Sequence, residues 1–241
     1  MNPTSLISYL KVRQWIGFLG MALPFVLMIG GCLAGNTVLP SISDYYYSNM
    51  GTVFSGALFA VATFLLTYKG YDNSKSLLFG LFNDNTATNL CSFFAICVAL
   101  FPCNTIYTTC CGEQISIIQE TINLIHFVSA ALLFTLLGAI SFYFFTQSDK
   151  PKLELRNTRK ALRNKIYKAC GIIIWLSILA MGATKLMIGK PTGIGDKYVL
   201  IGEIICLFAF GFSWLVKGET MLKDKVKPSI DNNKLTNNIN L

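Results

Sequence analysis

Charge is scarce in this sequence: 13% of its 241 residues are Asp, Glu, Lys or Arg, about half the share usual in a soluble domain. So few charged groups cannot clothe a chain of this length in water, which excludes an ordinary soluble globular domain. Histidine is scarcer still. The single imidazole, His126, rules out the usual multi-histidine zinc sites. A metal held by Asp44, His126 and Glu203 would be carboxylate-rich instead, and nothing in the sequence calls for a cofactor. Lys and Arg are missing altogether from two segments, 36–50 and 103–120. The halves show no repeat, which speaks against an inverted-repeat transporter. No run alternates apolar and polar residues as a membrane barrel strand would.

What fills the chain is apolar: 53% hydrophobic residues and a mean hydropathy of +0.53. A helix needs about 20 mainly apolar residues to cross the hydrocarbon core. Six stretches approach that length, at 15–35, 51–68, 86–103, 121–145, 167–187 and 198–216. Helix is the expected form of each, because an open sheet edge cannot be satisfied in lipid. The reading is an all-α polytopic membrane protein, a six-helix transmembrane bundle over 1–225. The Asn-rich segment 226–241 reads as a disordered tail.

A net charge of +8 would fit nucleic acid, but the basic residues are gathered between the apolar runs. Lys11 and Arg13 precede the first run, and Lys69 and Lys75 follow the second. Lys150 to Lys168 hold eight basic residues, and the tail carries Lys217, Lys223, Lys225, Lys227 and Lys234. This is how a membrane protein distributes charge, and it places both termini in the cytoplasm. Lys185, Lys190 and Lys197 are the one discordant group. The expected location is a bacterial inner membrane, with lipids as partners and no nucleic acid.

Ionisable groups inside such runs are costly and face a protein interior or a wet cavity. Under this topology Ser43 and Asp44, Glu120, Asn123 and His126, and Glu203 all fall near the outer leaflet. Gln119, Asn123 and His126 share one helical face by their spacing. Together they form a candidate polar pocket open to the extracytoplasmic side. Cys103, Cys110 and Cys111 share the outer third loop and are disulfide candidates in an oxidising compartment. On the cytoplasmic side, Leu155, Leu162 and Ile166 share a face while Arg156, Arg159, Lys160 and Arg163 crowd the remainder, a pattern suited to anionic lipid headgroups. Gly31 with Gly35, and Gly202, Cys206, Ala209 and Ser213, have the small-residue spacing of close helix packing.

Several stretches also carry a resemblance: Leu39 to Tyr47 (LPSISDYYY), Tyr68 to Tyr71, Val98 to Pro102, Ile125 to Phe127, Arg163 to Tyr167 and Phe210 to Glu219. They resemble a bacterial family of multi-span proteins with no assigned activity, itself similar to the Frag/DRAM/Sfk six-span membrane proteins. The resemblance implies six helices in a membrane and marks Ser43, Asp44 and His126 as candidate site positions. Met50-Gly51-Thr52 departs from the pattern, lacking the basic and acidic pair of the relatives. The leading expectation is a protein that binds or senses lipid through the outer pocket. The alternative is an intramembrane hydrolase or lipid-modifying enzyme with His126 as base and Asp44 or Glu203 orienting it. A small transporter comes third, because the cytoplasmic halves of the runs are largely apolar.

Overall fold

The computed structural model describes residues 3–70, 83–103, 117–147, 159–188 and 197–222. Its helices are α1 (Pro3–Leu33), α2 (Gly51–Thr67), α3 (Asp84–Leu100), α4 (Ile117–Ala139), α5 (Arg159–Ile188) and α6 (Tyr198–Lys217). A 3₁₀ turn spans Ser43–Tyr47, and α4 runs on into a π turn, Ile140–Phe144. Among the described residues there is no strand. The tail 226–241 lies outside them.

Local chemistry sets the helix ends. Gly35 takes a left-handed φ of +84°, and Asn36 N–H reaches back to Gly31 O at 2.9 Å, the glycine cap that stops α1. Gly35 therefore terminates a helix rather than packing against one, since a Cβ there would meet nothing. Gly31 does pack: the Tyr45 ring lies where its side chain would be. Asn83 caps α3 by accepting the Thr86 amide at 2.8 Å, so that helix starts two residues before the expected edge. Helix α5 begins eight residues before the apolar run, so Arg159 to Lys168 are its first turns and not a separate surface helix.

Four segments are long and apolar enough to cross a membrane: Tyr9–Leu33, Ile118–Phe144, Arg159–Met187 and Tyr198–Lys217. Helix α2 is apolar but has 17 residues, about 25 Å of rise. Trp15, Phe18, Ile29, Leu176, Leu179 and Leu186 point outward and are each more than half exposed. A belt of this kind has no place in water, and is what a lipid-facing surface requires. The chain is a helical membrane protein.

The helices form a closed ring in which each packs on its neighbours in sequence and α6 returns to α1. Side-chain pairs show the alternation of direction. Gln14 meets Gly218 and Tyr9 stacks on Tyr68. Tyr68 meets Asp84, Trp175 meets Thr135, and Cys206 meets Ile174. The small face of α6 is buried as expected: Gly202 lies against Met181, and Ser213 bonds Ser141 of the π turn at 2.8 Å. Closure depends on Gly17 and Gly211, where any Cβ would strike the facing backbone carbonyl or the neighbouring Leu215 and Met21.

One end of the ring is basic and aromatic. Tyr68 and Phe145 flank the Trp214 ring at 5.0 and 5.1 Å. Arg13 lies over Tyr9, and Lys217 over Phe145. Replacing Gly211 with Val should lower the thermal unfolding midpoint in detergent by the equivalent of about 1–3 kcal/mol, the usual cost of overpacking. Gly56→Ala, at a position where a Cβ meets nothing, should leave the midpoint unchanged or slightly raised.

Candidate functional site

The opposite end of the ring is closed by the segment between α1 and α2. After the Gly35 cap the chain turns back over the bundle, burying Leu39, Ile42 and Tyr45. The Tyr45 hydroxyl accepts Leu39 N–H at 3.4 Å, and Leu200 N–H of α6 donates to Pro40 O at 3.0 Å. Ser41 Oγ accepts Asp44 N–H at 3.0 Å, a side-chain turn that tips Ser43 downward into the ring. Glu203 of α6 meets it there. Its Oε2 accepts Ile42 N–H at 2.5 Å, and its Oε1 lies 3.4 Å from Ser43 Oγ.

His126 completes the group from α4, nine residues past its start and so about 13 Å along the axis. Its Nδ1 is 2.7 Å from Phe101 O and its Nε2 is 3.0 Å from Ser43 Oγ. A carbonyl only accepts, so Nδ1 carries a proton and a neutral ring presents a lone pair at Nε2. Two proton arrangements then satisfy the chain of contacts. In one, Glu203 donates to Ser43 and Ser43 donates to His126. In the other, His126 carries both ring protons and donates to Ser43, which donates to an ionised Glu203. They contain the same number of protons and differ in its placement, with Ser43 linking Glu203 to His126 in both. His126 is 2% exposed and Ser43 8%, and a satisfied network so buried is worth more than its separate bonds.

Below Ser43 and Glu203 lies a narrow cavity of about 60 Å³ between α1, α2, α3, α4 and α6. Those two are its polar side chains, and the rest of the lining is apolar, including Leu58, Leu65, Val98, Leu133 and Phe210. Its lining side chains on α2 run from Phe54 to Leu65, about 16 Å of helix. His126 stands behind Ser43 and is not part of the wall. A larger groove of about 480 Å³ on the outer surface, between α1, α5 and α6, is lined by apolar side chains only.

Of the residues expected at the site, Ser43, His126 and Glu203 come together. Asp44 is adjacent but turns to Cys103, whose Sγ donates to Asp44 Oδ1 at 3.6 Å. Glu120 is exposed on α4 and Asn123 is half-buried. His126 is oriented by the Phe101 carbonyl, a partner that side-chain patterns cannot reveal. The trace in the sequence is Pro102, which stops α3 and frees that carbonyl from helix bonding.

Cys103 is a buried free thiol. Burial, with Asp44 and Glu203 nearby, pushes its pKa up. Cys110 and Cys111, its expected disulfide partners, lie outside the described residues. Among the described residues no three His, Cys, Asp or Glu side chains gather as metal ligands. Of the four expected headgroup contacts, Arg159 is exposed and Arg156 lies outside the described residues. Lys160 donates to Phe145 O and Arg163 to Leu222 O, with Arg163 buried. No known protein family, curated protein or solved structure matches the chain.

Burial raises the pKa of Asp44 above 3.8, against the opposing hydrogen bonds from Ser41 and Cys103. The folded chain therefore holds this proton more tightly than the unfolded one, and ionising Asp44 destabilises the fold. Below about pH 3.8 the carboxyl is neutral in both states and costs nothing. As pH rises from there through the raised value, stability is lost. Asp44→Asn should accordingly raise the melting midpoint at pH 7 and have no such effect well below pH 3.8, as read by thermal unfolding at the two pH values.

Proposed function

We propose that the protein binds a single membrane lipid, one alkyl chain in the central cavity and the polar linkage beside Ser43, His126 and Glu203. One observation carries this reading: the hydrogen-bonded trio sits at the end of a narrow apolar cavity inside a closed helical ring. An unbranched chain matches such walls in chemistry, because apolar cavities accept apolar guests, and at about 60 Å³ the walls must part to admit more than its first methylenes. Polarity at one end only orients the guest, head towards the segment between α1 and α2. It also counts against transport, for which polar groups would continue through the bundle. At the far end the packed rings of Tyr68, Phe145 and Trp214 close the path.

We further infer six spans with both termini in the cytoplasm of a bacterial inner membrane. Helices α2 and α3 are short for the hydrocarbon core but pack between α1 and α4, and their ends align with those of the longer helices. Arg13, Lys160, Arg163 and Lys217 share the opposite end from Glu203, the asymmetry that directs basic ends inward. A cysteine at Asn36, in a cysteine-free background, should react with a membrane-impermeant maleimide from outside intact cells, and one at Asn157 should not. The reverse pattern would overturn the orientation.

Lipid binding is tested by native mass spectrometry of protein released from mild detergent. The wild type should retain one lipid. Ala95→Leu, which adds three carbons at a fully buried position in the cavity lining, should lose it while still melting cooperatively. Equal retention by both proteins, or no retained lipid in the wild type, would remove the reading.

A further inference from the structure

We propose that Ser43 is a nucleophile and that the bound lipid is an acyl ester, so that the site transfers an acyl group rather than only holding a chain. The inference rests on the lipid-binding reading above. The elements stand in the order that acyl transfer requires: cavity, then Ser43 in its wall, then His126 behind the serine, then the Phe101 carbonyl behind the histidine. The carbonyl fixes a proton on Nδ1. When the ring is neutral, the lone pair of Nε2 is aimed at the Ser43 hydroxyl at 3.0 Å, within the reach at which a base activates a nucleophile. A serine that served only to satisfy Glu203 would need no base on its other side.

The walls define the substrate class. Along α2 the lining side chains Phe54, Leu58, Val61 and Leu65 recur at helical spacing below Ser43. An acyl chain lying there would bring its ester carbonyl level with Oγ, and the alcohol portion would leave where the segment between α1 and α2 lifts from Leu200 and Glu203. In the attack, Oγ bonds to the carbonyl carbon while its proton passes to Nε2. The C–O bond to the alcohol then breaks, and the proton on His126 goes to the departing alkoxide. The products are acyl-Ser43 and a free alcohol. Water, deprotonated by His126 in turn, releases the fatty acid and restores the serine.

Glu203 supplies what the apolar walls lack. With Oε2 occupied by Ile42 N–H, a proton on Oε1 is directed at Oγ and at the carbonyl oxygen beside it. That hydrogen bond stabilises the negative charge that develops during attack.

A long-chain alkyl fluorophosphonate tests the proposal on the full chain in its native membranes. Attack by Ser43 forms an O–P bond and expels fluoride, leaving a stable adduct that peptide mass spectrometry can locate. The expected result is one adduct, at Ser43, lost in Ser43→Ala and formed at least 100-fold more slowly in His126→Gln, the low end of what a general base contributes. Mapping the wild-type adduct keeps the assignment independent of whether Ser43→Ala folds. Wild-type protein that retains lipid by native mass spectrometry yet takes no label at Ser43 overturns the nucleophile and leaves lipid binding intact. Protein that neither retains lipid nor takes the label overturns both. Labelling at Ser43 that His126→Gln does not slow overturns the role of the base.

Discussion

The carboxylate of Glu203 ties the segment between α1 and α2 to α6, and the closed end of the ring depends on it. Hydrocarbon offers no partner to a backbone amide, so Ile42 N–H must find an acceptor inside the protein or cost several kcal/mol. Glu203 provides it with one oxygen and bonds the Ser43 hydroxyl with the other. The buried positions of Leu39 and Tyr45 follow, as does the meeting of Ser43 with His126. The same carboxylate would be ruinous on the lipid face of α6. Its presence makes sense only with the folded-back segment above it.

The bundle thereby separates two kinds of chemistry. At one end, cations lie against aromatic faces and backbone carbonyls. At the other, neutral and acidic groups bond to one another around a narrow cavity, with Lys185 outside them over the Phe127 ring. Between them the described helices bring almost nothing polar into the interior beyond Ser and Thr hydroxyls, such as the Ser141–Ser213 pair. Such hydroxyls bond their own helix or a neighbour and leave no charge in the bilayer.

Much of this was legible in the sequence, for identifiable reasons. The edges of the second and sixth helices are visible because long apolar runs end abruptly at Gly51 and Lys217. Shared depth points to His126, Glu203 and Asp44 as one group, but the third place is taken by Ser43, because Asp44 turns to Cys103. Other features were hidden. A glycine pair four apart reads as helix packing, and only the backbone shows that Gly35 is a left-handed cap. Lys160 and Arg163 carry the composition of a surface stripe, but the aromatic end of the ring draws them inward. Neither the Phe101 carbonyl as partner of His126 nor the π turn after Ala139 has any side-chain signature. Both are backbone events.

The ring order bears on biogenesis. Every described helix except the first packs on the described helix before it, so contacts form nearly in step with insertion, as local topology favours. Helix α1 alone must wait for α6 to complete its interface. Until the last helix arrives, Ile42 and Ser43 have no carboxylate to receive them, and Gln14 has no Gly218 carbonyl. A nascent chain stalled after five helices would expose these unpaired groups within the bilayer, where quality-control machinery that reads polarity in membrane segments can recognise an unfinished product.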